Sequence, residues 1–263
     1  MGSWSVMQPF TKTRSDAPAG FFEAEAAGLR WLAAARGARV ATVLEAEPGR
    51  IVLERIVPSR PTPEAARAFG RDLASTHGAG ADAFGSPPAG WDGPLYIGSR
   101  EMPSHTADAW GAFYAQARVE PFLAPAVANG HLTAAEEEQV REACAVVASG
   151  TFDDATAPAR IHGDLWAGNL LFDADGAILI DPAAHGGHPE TDLAMLALFG
   201  APHLDEILAG YKERSRLATG WRERVPVHQL HPLAVHAAGH GRSYGVELAR
   251  AARATLRLAG AAA

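Results

Sequence analysis

Ile161-His-Gly-Asp-Leu-Trp-Ala-Gly-Asn169, followed by Ile180-Asp-Pro182, carries most of the structural information in this chain. Asp164 and Asn169 bracket a glycine-bearing loop, and Asp181 closes the next β-rich run. Between them, Leu170-Leu-Phe172 and Ala177-Ile-Leu-Ile180 flank Asp173-Ala-Asp-Gly176, which predicts two short strands joined by a hairpin turn. A loop, a hairpin and an aspartate at the hairpin's far end place three oxygen-bearing side chains within reach of one another.

Phosphoryl transfer from ATP requires such a trio. One carboxylate orients the attacking hydroxyl and takes its proton, while an amide oxygen and a second carboxylate hold Mg²⁺ on the phosphates. Mg²⁺ is a hard cation that prefers oxygen and keeps several waters, so few protein ligands suffice. Asp164 is therefore the candidate catalytic base, and Asn169 and Asp181 are the candidate Mg²⁺ ligands.

Working outward, Pro58-Ser-Arg-Pro-Thr-Pro63 interrupts regular structure and reads as a hinge. Residues 1–57 before it form a small lobe of mixed strand and helix pattern, and residues 64–263 form a larger helical lobe. The fold class is α+β. In the small lobe, strands are expected over Val6 to Thr13 and Ile51 to Val57, and a helix over Phe22 to Ala35. In the large lobe, Ala66, Phe69, Leu73 and His77 recur at helical spacing. Thr133 with Glu136 predicts a capping box opening a helix that buries Val140, Cys144 and Val147. Residues 85 to 105 are rich in Gly and Pro and read as a long functional loop.

The chain has 263 residues, 48% hydrophobic and 20% charged, with a formal charge of −7. That balance argues against a nucleic-acid or membrane-surface footprint. The one cysteine, Cys144, cannot form an intramolecular disulfide. No stretch approaches the roughly 18 apolar residues of a membrane span, and Met1 to Lys12 lacks the pattern of a signal peptide. A cytoplasmic location is expected. Lysine occurs only at Lys12 and Lys212; Lys212, beside Glu213, is expected in solvent. Glu25 is more informative, because Phe22, Glu25, Leu29 and Leu32 share one stripe of their helix. A carboxylate on an apolar stripe is costly unless a cation pairs with it.

The run IHGDLWAGNLLF, continuing to LIDPAAHGGHPETDLAMLALFG, resembles the fructosamine (ketosamine) kinase family, a branch of the aminoglycoside-phosphotransferase-like, protein-kinase-like fold. FFEAEAAGL, LERI, FYAQARVEP and HQLHPLAVH extend the similarity over most of the chain. The resemblance implies a two-lobed kinase that uses ATP and Mg²⁺ to phosphorylate the 3-hydroxyl of a sugar–amine adduct, the step that reverses glycation. It matches Asp164 to the catalytic base and Asn169 and Asp181 to the Mg²⁺ ligands. It matches Lys12 and Glu25 to the pair gripping the phosphates, and the backbone of Glu54, Arg55 and Ile56 to the adenine-binding hinge. By the same resemblance His162 holds the catalytic loop in shape and Asp192 braces it. The chain departs from the family before Lys12. Only 11 residues precede it, with Gly2 the one glycine, so the small lobe reads as truncated and without the phosphate-covering glycine loop.

Acceptor contacts are sought in Trp166, within the loop, and in His185 and His188 beyond Asp181. Trp110, Tyr114 and Arg118, at i, i+4 and i+8, are further candidates for the cleft wall. Three other readings stay open: a kinase of another hydroxylated amine such as an aminoglycoside, a kinase-like shell without turnover, and a metal-dependent hydrolase built on histidines such as His236 and His240.

Overall fold

The computed structural model describes residues 8–262. Strands β1 (Phe10–Thr13), β2 (Val43–Glu47) and β3 (Arg50–Leu53) form an antiparallel sheet in the order β1-β3-β2. Lys12 stands opposite Ile51 in the register of β1 on β3. Gly49 turns β2 into β3 with φ of 78°, a left-handed conformation that glycine adopts without strain. Helix α1 (Phe21–Ala34) lays Phe22, Ala26 and Leu29 against Ile51, Leu53 and Ala41, and these residues make the core of the small lobe. The expected strand over residues 51–57 stops at Leu53, because the chain then leaves the sheet toward Pro58. Of the strand expected over residues 6–13, Val6 and Met7 lie outside the described residues.

Beyond the proline-rich segment, Thr62 caps α2 (Pro63–Gly78) by accepting the N–H of Ala65. Helix α2 packs on α7 (Leu204–Arg214) so closely that a Cβ on Gly70 would stand 2.0 Å from the Ile207 carbonyl oxygen. Phe69, Leu73, Ile207 and Tyr211 belong to one core cluster with Leu170, Phe172 and Leu179 of the central hairpin. A second hairpin, β4 (Leu95–Ile97) and β5 (Arg100–Met102), emerges within the Gly/Pro-rich segment. The chain continues through α3 (Trp110–Phe113), a π-helical turn (Tyr114–Val119), a 3₁₀ turn (Glu120–Phe122), α4 (Leu123–Ala128) and α5 (Ala134–Ala148). Helix α5 opens with the Thr133–Glu136 capping box and buries Val140, Cys144 and Val147. Helices α8 (Val225–His228), α9 (Leu230–Gly239) and α10 (Arg242–Ala262) complete this part of the core.

Four short strands organise the middle of the chain. β6 (Ala159–Ile161) pairs with β9 (His185–Gly187), and β7 (Leu170–Asp173) pairs with β8 (Gly176–Leu179). Helix α6 (Pro189–Leu198) follows. The loop 162–169 therefore springs from one strand pair and enters the other, while Asp181 sits where the chain crosses back. The small lobe is joined to this hairpin through its backbone. Ala41 donates to the Leu179 carbonyl and Leu179 to the Arg39 carbonyl, both at 2.9 Å, around a parallel bridge of Val40 to Leu179. The Arg39 guanidinium adds two contacts to Asp173 at 2.8 and 3.0 Å.

Candidate active site

The loop that carries Asp164 is fixed from beneath. Asp192, 0% exposed, accepts the backbone N–H groups of His162 at 2.8 Å and Gly163 at 3.0 Å. His77 meets the same carboxylate at 3.1 Å and the Tyr211 hydroxyl at 2.9 Å. Burial alone would raise the pKa of Asp192, but His77, His162 and the loop amide outweigh it and hold the carboxylate below its ordinary value. His162 accepts the Asp164 N–H through Nδ1 at 3.2 Å and reaches the Ile180 carbonyl through Nε2 at 2.9 Å. One imidazole thus ties the loop to the strand end that bears Asp181. Gly163 permits the turn, with φ of 80°.

Above that base lies a cleft of about 520 Å³, lined on one side by Lys12, Arg14, Phe21, Glu25 and Tyr96 and on the other by Asp164, Trp166, Asn169 and Asp181. Asn169 donates through Nδ2 to the Asp164 carboxylate at 3.0 Å and to its carbonyl at 2.8 Å. Burial pushes the Asp164 carboxyl up to about 7, Asp181 and Asp192 add to the rise, and the Asn169 bond opposes it. Asp181 has φ of 53°, a left-handed conformation that aspartate tolerates better than most residues, and its side chain is 42% exposed. Lys12 bridges Glu25, at 2.8 Å, and Asp181. Burial lowers the pKa of Lys12, but the two carboxylates outweigh that and hold the ammonium above its ordinary value.

Trp166 is 38% exposed and meets Phe199 edge-on. Its ring lies over Gly168, where a Cβ would approach within 2.3 Å. Glu54, Arg55 and Ile56 stand apart from the cleft lining. The Glu54 carboxylate accepts the Thr42 N–H and hydroxyl, Arg55 donates to the Gln8 and Pro9 carbonyls, and Ile56 packs on the small-lobe core.

Three expected acceptor contacts require correction. Arg118, His185 and His188 are 1%, 2% and 3% exposed and lie outside the cleft lining. The i, i+4, i+8 spacing that suggested a cleft wall is taken up by α3 and the π-helical turn, which bury Trp110, Tyr114 and Arg118 together. Tyr114 spends its hydroxyl on the Val227 and His228 carbonyls. His188 instead caps α6 and joins Glu190 and His228 in a buried group. Arg224 already neutralises Glu190 there, at 2.6 and 3.0 Å, so the group reads as an ion-pair network. The His236 ring lies tilted against those of His240 and Tyr244, at 5.0 and 4.9 Å, and neither histidine belongs to a cluster of metal-ligating side chains among the described residues.

Sequence reasoning overlooked Arg14, Phe21 and Tyr96. The Arg14 guanidinium lies 5.3 Å over the Phe21 ring, and Phe21 meets Tyr96 edge-on at 5.2 Å. The alternation Leu95-Tyr-Ile97 before Gly98 was the available signal, weakened by strands of only three residues. No described helix is long and apolar enough to cross a membrane.

Comparison with known proteins agrees with this architecture. The family model for fructosamine kinase matches residues 5–257. A protein named probable ketoamine kinase from Enterococcus faecium is 30% identical over 241 residues, covering 91% of this chain and 84% of its own. Another so named, from Thermus thermophilus, is 30% identical over 253 residues, covering 96% and 89%. A crystal structure of a candidate fructosamine-3-kinase from Thermobifida fusca superposes with a TM-score of 0.87 at 45% identity, over 95% of this chain and 85% of that one. A choline kinase from Streptococcus pneumoniae, 16% identical with a TM-score of 0.62 over 96% and 88% of the two chains, shares the fold alone. The fold is the two-lobed, protein-kinase-like α+β fold, and the family model over residues 5–257 and the relatives matched along most of their length show that this chain belongs to the fructosamine kinase family of phosphotransferases.

Proposed function

We propose that the protein transfers the γ-phosphoryl group of ATP to the 3-hydroxyl of fructosamines and related ketosamines, making the adduct labile and so reversing glycation in the cytoplasm. The observation that carries this reading is the convergence of Lys12, Glu25, Asp164, Trp166, Asn169 and Asp181 on one cleft. The probable ketoamine kinase names of the relatives support the choice of acceptor.

In this reading Asp164 receives the acceptor's hydroxyl proton as the oxygen bonds to phosphorus and the bond to ADP breaks. A carboxyl raised to about 7 is matched to accepting a proton near neutrality. Lys12, held by Glu25, grips the phosphates, and a compact ammonium on a flexible stem suits that task better than a planar guanidinium. Asp181 and Asn169 fit Mg²⁺ chemically. Both offer oxygen, Asp181 opens on the cleft, and the Asn169 amide nitrogen is committed to Asp164, leaving the amide oxygen as the donor. Mg²⁺, when bound, supplies neutralisation of phosphate charge. Residues 1–57 are assigned to nucleotide binding, with the Glu54–Ile56 backbone toward adenine, residues 58–63 to the hinge and residues 64–263 to catalysis. Trp166 stacks on the acceptor.

The test is incubation with Mg-ATP and a panel of fructosyl-lysine, ribulosyl-lysine, free sugars and aminoglycosides, read by mass spectrometry. The reading expects one phosphoryl group gained on the ketosamines. Gain on aminoglycosides alone would replace the acceptor assignment and keep the kinase chemistry.

A further inference from the structure

Arg118 is among the largest fully enclosed side chains of the protein, yet its ionisation is perturbed by burial alone, down to about 9, with no carboxylate contributing. One of its terminal nitrogens has no hydrogen-bond partner among the described residues. Burying an unpaired guanidinium costs several kcal/mol, and an apolar side chain of similar volume would stabilise the core better. Stability therefore gives no reason for an arginine here, and its contacts point to another one.

Arg118 donates through Nε to His185 Nε2 at 3.2 Å, and through Nη1 to the Pro103 and Ala117 carbonyls at 3.0 Å each. Its guanidinium lies 4.6 Å from the Phe113 ring centre. A permanent donor at Nε2 makes that nitrogen the acceptor, so the His185 proton sits on Nδ1. Nδ1 donates to the Ala183 carbonyl at 2.8 Å. Gly163 packs against the same carbonyl beside His185, since a Cβ there would stand 2.2 Å from the Ala183 oxygen and 3.1 Å from His185 Nδ1. Gly163 immediately precedes Asp164, and Ala183 follows Asp181 by two residues. Pairing of Ile161 with His185 holds the two segments side by side.

We propose that Arg118 is a positioning residue: by imposing one tautomer on His185 it pins the Ala183 carbonyl and so sets the spacing of Asp164 and Asp181. Asn169 spans that spacing, its Nδ2 lying 3.0 Å from the Asp164 carboxylate and 3.4 Å from the Asp181 carbonyl. The π-helical turn Tyr114–Val119 is part of the device, because such widened turns recur at functional sites and this one carries Arg118. The catalytic consequence rests on the kinase reading above; the structural link does not.

The experiment compares wild type with Arg118→Met, His185→Leu, His185→Asn and Arg118→Met/His185→Asn as full-length proteins. Hydrogen exchange is read on peptides covering residues 161–169 and 181–187. The asparagine amide supplies a donor in place of Nδ1–H without needing a tautomer to be chosen. Arg118→Met and His185→Leu are expected to speed exchange in both segments roughly tenfold, with α2 and α5 unchanged. His185→Asn is expected to exchange more slowly than His185→Leu, and adding Arg118→Met to it to cost less than about twofold. With Mg-ATP and fructosyl-lysine, kcat of Arg118→Met should fall about tenfold while KM for ATP stays within about twofold. Equal exchange in His185→Asn and His185→Leu overturns the proposal, as does an equal effect of Arg118→Met in both backgrounds. If Arg118→Met does not fold, the two His185 variants decide the matter. The exchange arm needs no acceptor, so a wild type that leaves ketosamines untouched overturns the substrate reading without touching this one.

Discussion

Replacing Asp164 with Asn should raise stability at alkaline pH while abolishing turnover. The carboxyl is lifted from its ordinary value of 3.8 to about 7, chiefly by burial. At 1.36 kcal/mol per pH unit, that rise corresponds to about 4 kcal/mol of native-state cost for the ionised form. The sign follows from proton linkage. A carboxyl with a raised folded-state pKa makes the native protein hold its proton more tightly, so stability falls as pH rises from about 4 to 7, and the cost is complete above that. Asp164 keeps some surface on the cleft, and solvent there reduces the figure. Asparagine removes the charge and still accepts from Asn169 Nδ2. A gain of about 2 kcal/mol is expected at pH 8, or roughly 4–8 °C in Tm for a chain of this size. The gap should shrink by about half at pH 5 and close below about pH 4. Thermal unfolding of both proteins at matched ionic strength from pH 8 to pH 5 measures it. An equal or lower Tm for the variant at pH 8, or a gap that widens toward acid, would refute the reasoning.

In the wild type kcat/KM should drop about tenfold per unit below pH 7, because Asp164 must be ionised to take a proton; a limb centred near pH 4 in the pH–rate profile would detach Asp164 from that step. Lys12→Met should raise the KM for ATP more than about tenfold and, by leaving Glu25 enclosed without its cation, cost about 3 kcal/mol in denaturant unfolding; an unchanged KM would remove Lys12 from phosphate binding. Trp166→Ala should raise the acceptor KM about tenfold and leave the ATP KM within about twofold, and steady-state kinetics with each substrate varied separates the two. Gly70→Ala forces α2 away from the Ile207 carbonyl and should cost about 2–3 kcal/mol; a wild-type denaturation midpoint would contradict the packing described.

The legible parts of this chain are those where local chemistry decides alone. The Thr133–Glu136 box needs only its own turn to form, and Asp173 to Gly176 make their hairpin from a turn and two apolar runs. Glu25 could be matched to a cation because a carboxylate on an apolar stripe demands one. What was missed depends on contacts between distant segments. Strand β2, Val43-Leu-Glu-Ala-Glu47, has no residue fully buried and no clean alternation of apolar and polar positions, and Leu95 to Met102 form a ladder only because their short strands pair. Arg118 was misplaced because a charged residue at helical spacing reads as surface, whereas its neighbours are Phe113, Pro103 and His185 from three parts of the chain. His185 and His188 follow Asp181 closely, yet β9 and the start of α6 turn both inward.

The two main-chain hydrogen bonds between Leu179 and residues 39 and 41 have a mechanical consequence. They act as a clasp, and they do not act alone: Ala38 donates to the Thr76 hydroxyl at 2.8 Å, Arg160 donates to the Trp31 carbonyl at 2.6 Å, and Trp31 and Leu32 pack on Ala184. Drawing the small lobe away would unmake main-chain pairing as well as side-chain contacts, which ties the place of Lys12 on β1 to that of Asp181, two residues beyond Leu179.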